Sequence, residues 1–135
     1  MSLNLTDQDK ATLRTAAYGA VTLLSAAGAA GSPHKIATEG SIALASATGP
    51  IGHVLAAKSK DIALDGKSVA ELADHVLPAL TESMSLLKRQ APEEADNFRG
   101  IVLIAVEAGL RGQKGEPGPT LTEMARKITE AIDAA

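Results

Sequence analysis

The chain has 135 residues, a formal net charge of -3, no cysteine or tryptophan, one tyrosine and one phenylalanine. This length suits a single helical domain over residues 1–135, and the lack of cysteine excludes disulfides, thiolate catalysis and cysteine-bound zinc. The absence of a basic stripe and of aromatics that could stack on bases argues against nucleic-acid binding. Asp7 and Asp9 stand where a secretory signal needs positive charge, so we expect a cytoplasmic protein.

Two segments, residues 15–34 and 40–57, carry no formal charge and consist mostly of Ala, Gly, Ser and Thr. Both are long enough to span a bilayer, but glycines interrupt them and no Trp or Tyr belt flanks them, so a membrane span is not expected. Small side chains bury little area each, and helices that carry them must approach one another closely. Because Ala is the strongest helix former, the sequence predicts an all-α bundle of five to six helices.

The first predicted helix begins after Thr6, a capping residue, and ends near Ala27. Its predicted apolar face consists of Leu13, Ala17, Ala20, Leu24 and Ala27, and a milder face opposite consists of Arg14, Tyr18, Thr22 and Ser25. A second helix is predicted from Pro33 to about Thr48. Gly49-Pro50 stops or kinks it, and residues 51–58 are predicted to form a short helical segment.

Small residues recur every four positions on the second predicted helix, at Ala37, Ser41, Ala45 and Gly49. This ladder predicts a flat groove that allows another helix to approach closely. The groove either packs within the chain or receives a partner. Since two-fold dimers are the commonest oligomers, we expect a homodimer or another protein partner at this groove.

A capping box at residues 68–71 predicts the start of an amphipathic helix with Pro78 in its middle. Pro92 begins the next predicted helix, and its segment 100–106 is apolar on all sides, which predicts a central buried helix. The Gly- and Pro-rich residues 109–119 predict a loop. A second capping box at residues 120–123 predicts the start of a terminal helix that ends near Ile132.

The chain also shows a possible internal duplication, although Gly and Ala are common enough here for short matches to arise by chance. Residues 19–28 match 100–109 in the positions of their glycines and valine, which predicts two similar helical hairpins at the start and end of the chain. This layout resembles the TerB-like domains of tellurite resistance, which are built from paired helical repeats. The acidic Asp-Gly loops of that family are missing, because residues 27–32 read Ala-Gly-Ala-Ala-Gly-Ser. No family assignment follows from the resemblance.

One pair of polar residues, Glu71 and His75, lies four positions apart on one predicted helix face. The pair forms either an exposed ion pair or half of a metal or proton-transfer site, which would need Asp74 together with a second acid or His53. No nucleophile elbow, phosphate-binding loop or dinucleotide fingerprint is present. The sequence therefore assigns no catalytic residue, cofactor or metal ligand.

Two further acids, Glu39 and Glu107, each stand alone in a mostly apolar neighbourhood. A buried carboxylate needs a partner or has a raised pKa. We expect each to form a structural ion pair, with Arg14 or Arg99 as the candidate partner, and the alternative is that they belong to a ligand site. Taken together, these features favour a protein–protein interaction or self-associating module without catalytic activity. The alternative is a bundle that binds a small apolar ligand between its helices, and a metal-dependent enzyme is the third hypothesis.

Overall fold

A computed structural model describes residues 4–28, 33–56, 68–112 and 118–135. Within these ranges the chain forms an all-α bundle, as predicted. The six described helices are α1 (Asp7–Ala27), α2 (Pro33–Ala45), α3 (Gly49–Ala56), α4 (Val69–Gln90), α5 (Pro92–Gly112) and α6 (Pro119–Asp133). The predicted cap at residue 32 and the predicted turn over residues 60–67 lie outside the described residues, as do residues 113–117 of the predicted 109–119 loop.

The helix boundaries mostly follow the local signals, with three exceptions. α2 ends at Ala45 rather than near Thr48, and α3 already begins at Gly49. Thr6 caps α1 through a reciprocal capping box with Asp9, each bond 3.0 Å long. The predicted loop over residues 109–119 begins later than expected, because α5 continues to Gly112. The predicted capping box at residues 120–123 is also wrong. Pro119 already occupies the first turn of α6, and Gly118 is the cap and forms no side-chain hydrogen bond. Proline at the first helical position has no N–H that would need an acceptor.

The helices α1 and α5 each contact every other described helix, but α1 is the more deeply buried. After Gln8, only Thr22 of α1 is fully exposed. Residues 100–106 are helical and lie in a central helix, as predicted, with Ile101, Val102, Ala105 and Val106 buried. The helix is not buried on every side, because the side chain of Ile104 is 57% exposed. α5 packs on α2 and α4 through its other sides, and one row of its residues is left facing outward.

Small residues bring the helices close together, as the composition predicts. A Cβ atom at Gly40 of α2 would lie 2.7 Å from Val21 Cγ1 on α1, which is closer than two carbon atoms can come. At Gly112 of α5 a Cβ would lie 3.0 Å from the carbonyl oxygen of Lys35 on α2. These glycines allow α2 to lie against both α1 and α5.

The predicted duplication gains no support from the packing. α1 packs extensively on α2, whereas α5 and α6 touch only slightly in the described part of the chain. α5 pairs mainly with α2, and α6 lies mainly on α4. The two predicted hairpins therefore do not share one arrangement of helices.

Candidate functional site

The predicted groove on α2 does not face the core of the protein. The core row of this helix is Ile36, Gly40 and Leu44, all buried. The ladder lies beside that row and turns away from it: Ala37 is half-buried, and Ser41, Ala45 and Gly49 are exposed. The sequence leaves open whether the groove packs within this chain or receives a partner. In the structure the groove as a whole does not pack within this chain.

The outward side of α2 carries small and uncharged residues around one large apolar side chain. We call this surface the α2 outer face, and it consists of Thr38, Ser41, Ile42, Ala45, Ser46, Gly49 and Pro50, all exposed. Ile42 is 55% exposed at its middle. Single exposed apolar residues are ordinary, but the exposed residues one turn before and one turn after Ile42 are uncharged here. The nearest charges on α2 are the half-buried Glu39 beside Ile42 and the exposed Lys35 two turns before it.

A surface cleft of about 360 Å³ lies between α2 and α5, next to the α2 outer face. Its walls are mostly apolar, with the exposed Ile104 on the α5 side, and Ser46 belongs both to the cleft and to the outer face. The cleft is lined by Ala43, Ser46, Ala47, Thr48, Asp96, Asn97, Gly100, Ile101 and Ile104. A Cβ added at Gly100 would meet nothing within 4 Å, so this residue opens the α5 wall.

The corner between α2 and α3 is held by two side chains of α5. Asn97 donates a hydrogen bond to the carbonyl oxygen of Thr48 at 3.3 Å, and the Glu94 carboxylate accepts one from the Ile51 N–H at 3.4 Å. Gly49 has a φ of 81°, a conformation that strains any residue with a side chain. The Glu94 contact could not be predicted from the sequence, because nothing local signals a contact between residues so far apart in the chain.

Two residues of the milder face of α1 fasten the other end of α3. Arg14 Nε donates to the carbonyl oxygen of Val54 at 3.0 Å, and the Tyr18 hydroxyl donates to that of Leu55 at 2.7 Å. These carbonyls belong to the last turn of α3, where an α-helix leaves its acceptors without partners. Burial raises the pKa of the Tyr18 phenol, and the Arg14 charge opposes part of that rise.

The other charged candidates do not gather around one point. Glu39 is half-buried and Glu107 is exposed, so Glu107 is not a buried carboxylate. Neither forms the predicted pair with Arg14 or Arg99: Arg14 binds a backbone carbonyl, and Arg99 forms a two-pronged salt bridge with Asp133, with Nε to Oδ1 at 2.9 Å.

The residues of the predicted metal or proton-transfer site are also dispersed. Glu71 and His75 are exposed on α4, and Asp74, His75 and Glu82 line an open groove of about 520 Å³ between α1 and α4. His53 lies in a different cleft, between α1 and α3. Among the described residues no group of three His, Asp or Glu side chains is placed to hold a metal ion.

None of the described helices combines the length and hydropathy that crossing a bilayer requires. Comparison with family models, with curated proteins and with solved structures gave no match to this chain. Any functional conclusion therefore depends on the surfaces described above.

Proposed function

We propose that this protein is a self-associating helical module, and that two copies pack on each other through the α2 outer face. The observation that supports the proposal is the exposure of Ile42 within a helical face of small, uncharged residues. Burial of such a side chain against a partner is favourable by roughly 25 cal/mol per Å² of apolar surface. The neighbouring Ser41 and Ala45 are small enough for a second helix to come close.

A second copy fits this face better than a charged partner does. In a two-fold dimer the same patch occurs on both sides, so any charge near the axis meets its own like charge. The seven residues of the α2 outer face carry no charge, so self-pairing centred on Ile42 meets no repulsion at the axis, and the neighbouring Lys35 and Glu39 have opposite signs. The small side chains of the ladder also allow two copies of α2 to cross at a short distance.

The size of the face sets the expected strength of the dimer. A standard interface buries roughly 800 Å² on each partner, which is about a ninth of the 7123 Å² accessible surface of this chain. α2 has 13 residues and is therefore about 20 Å long, so it needs the outward row of α5 to reach that area. In that row Gly100 and Ile104 stand between the exposed acids Asp96 and Glu107, which we place at the rim of the interface. We expect an interface at the small end of the range and a dissociation constant on the order of micromolar.

Sedimentation equilibrium of the native chain and of two matched variants tests the proposal. Ile42→Arg places a bulky charged side chain in the middle of the interface, where it faces the same charge of the second copy, and we expect the dimer dissociation constant to rise about 100-fold. Thr122→Arg is the control, because Thr122 is equally exposed and helical but lies on α6. This control keeps the native dissociation constant, and both variants keep the helical circular-dichroism spectrum.

The proposal fails if the native chain sediments as a monomer up to about millimolar concentration, where affinities become too weak to matter. It also fails if Thr122→Arg weakens association as much as Ile42→Arg does. If the native chain is a monomer but binds a different protein through Ile42, the homodimer proposal is wrong and the α2 outer face binds a heterologous partner. We also place the module in the cytoplasm, a proposal supported by a chain without cysteine.

A further inference from the structure

A second cleft, of about 460 Å³, lies between the start of α1 and α3, and the proposed dimer does not explain it. Leu5, Pro50 and Val54 give it apolar walls. Lys10 and His53 bring two nitrogen-bearing side chains to the same space. The cleft is within the size range of small-molecule sites, which combine apolar walls with a few polar groups.

The charges around this cleft favour an anion, although the whole chain is acidic. None of the described residues that line it carries a carboxylate. In the described part of the chain, the Lys10 ammonium forms neither an ion pair nor a hydrogen bond, even with Asp7 one turn earlier on α1. The carboxylate of Asp9 is held by the N–H of Thr6, and that of Glu94 lies towards the N–H of Ile51. Lys10 is therefore a cation available to a ligand.

The walls of the cleft are fixed in place by the contacts between α1 and α3. Arg14 lies one turn after Lys10 and binds the carbonyl of Val54, which is itself a wall residue. Tyr18, a further turn along, binds the carbonyl of Leu55. Because these bonds hold α3 at a set distance from α1, a ligand would not have to order the site when it binds.

We propose that the cleft between α1 and α3 binds a small organic monocarboxylate with a short alkyl chain. The carboxylate contacts Lys10 and His53, and the alkyl chain covers Leu5, Pro50 and Val54. A single ammonium with one imidazole suits a singly charged head group better than a phosphate dianion, which arginine forks bind best. The cleft shares Gly49 and Pro50 with the end of the α2 outer face. All the other residues of the site lie outside that face and belong to one chain, so the site does not depend on the dimer.

Titration of the isotope-labelled full chain, followed by amide chemical shifts, tests this site with hexanoate as the probe. We expect saturable shifts at Lys10, Gly49, His53 and Val54. Hexanamide lacks the charge and acetate lacks the tail, so each binds at least about tenfold more weakly than hexanoate. Lys10→Gln weakens hexanoate binding about fivefold or more, which is the size of one charge-assisted contact at a partly exposed site.

Lys127→Gln on α6 is the charge-matched control, since it removes one positive charge far from the cleft and should leave the titration unchanged. Shifts that do not saturate, or that scatter over the surface, overturn the proposal. Equal binding of hexanoate and hexanamide overturns it as well, because the cationic side chains would then contribute nothing. Repeating the titration with Ile42→Arg separates the two proposals, since loss of the dimer leaves hexanoate binding intact.

Discussion

The helices α2 and α6 both turn one side to solvent, but these two outward faces contain opposite kinds of side chain. The outward face of α6 carries Glu123, Arg126, Lys127 and Glu130, and Arg126 forms salt bridges with both glutamates of this set. The Arg126 hydrogen bond holds the pKa of the Glu123 carboxyl below its usual range. The α2 outer face has no charge and exposes Ile42.

This difference indicates which surface is built to remain in water. Exposed ion pairs contribute little to stability, but their charges keep a surface hydrated and discourage association. A face without charges lacks that protection, and here it coincides with a ladder of small residues. α6 is therefore a solvent surface, and we infer that α2 is an association surface.

The largest expected effect separates the inward from the outward small residues of α2. Gly40→Leu forces a side chain against Val21, where even a Cβ would lie 2.7 Å from a methyl carbon. We expect the free energy of unfolding to fall by about 2 kcal/mol, because overpacking outweighs the gain in helix propensity. Urea denaturation at a concentration where the chain is monomeric measures it. An unchanged midpoint would mean that α1 and α2 are not in close contact.

Ala45→Leu is the matched substitution on the outward side of the same helix. Since Ala45 is exposed, we expect the stability of the monomer to change by less than about 0.5 kcal/mol. The added bulk prevents close approach of a second copy, and the dimer dissociation constant rises about tenfold. Urea denaturation and sedimentation together check both parts. If Ala45→Leu destabilises the monomer as much as Gly40→Leu does, the ladder belongs to the core. The α2 outer face would then not differ from α6 in the way described above.

The smallest expected effect concerns the end of α6, where Asp133 pairs with Arg99. The hydrogen bond from Arg99 lowers the pKa of the Asp133 carboxyl. A lowered pKa in the folded state adds stability at neutral pH. This stability is lost progressively as the pH falls from about 4, the value for an unfolded aspartate, through the lower pKa of the folded state. Arg99→Ala should therefore lower the melting temperature slightly at pH 7 and by less at pH 3, without changing association.

Arg111→Ala is the control for this pH dependence, because Arg111 is exposed on the same helix and lies outside the Asp133 pair. The control should show no difference in its effect between the two pH values. If Arg99→Ala weakens the dimer at neutral pH, then the pair between Arg99 of α5 and Asp133 of α6 takes part in association. The end of α6 would then be an association surface and not a solvent surface.

The sequence predicted the helices better than it predicted their orientation. Thr6 and Pro92 are local signals, and the structure confirms the helix starts that they mark. The orientation of α2 was harder to predict because Ala, Ser and Gly differ little in hydrophobicity. The sequence therefore does not indicate whether the ladder faces the core or the solvent. Ile36 and Leu44, which flank Gly40 at a spacing of four, were the stronger signal for the buried side.

The contacts that hold α3 were not predictable from the sequence alone. Arg14 and Tyr18 stand on the predicted milder face of α1, where a side chain facing solvent and one facing a helix terminus give the same pattern. Only the fold shows that these two side chains reach the last turn of α3. The same holds for Glu94, whose bond to the N–H of Ile51 joins residues on α5 and α3.

Intermolecular paramagnetic relaxation enhancement tests the central claim most directly. The chain has no cysteine, so His34→Cys, at the exposed start of α2, gives a single site for a spin label. When the labelled chain is mixed with isotope-labelled native chain, we predict that the label broadens amide signals of α2 and of the corner at Gly49. Signals of the charged face of α6 should remain sharp. Broadening on α6, or no broadening at concentrations where the chain associates, would contradict the account.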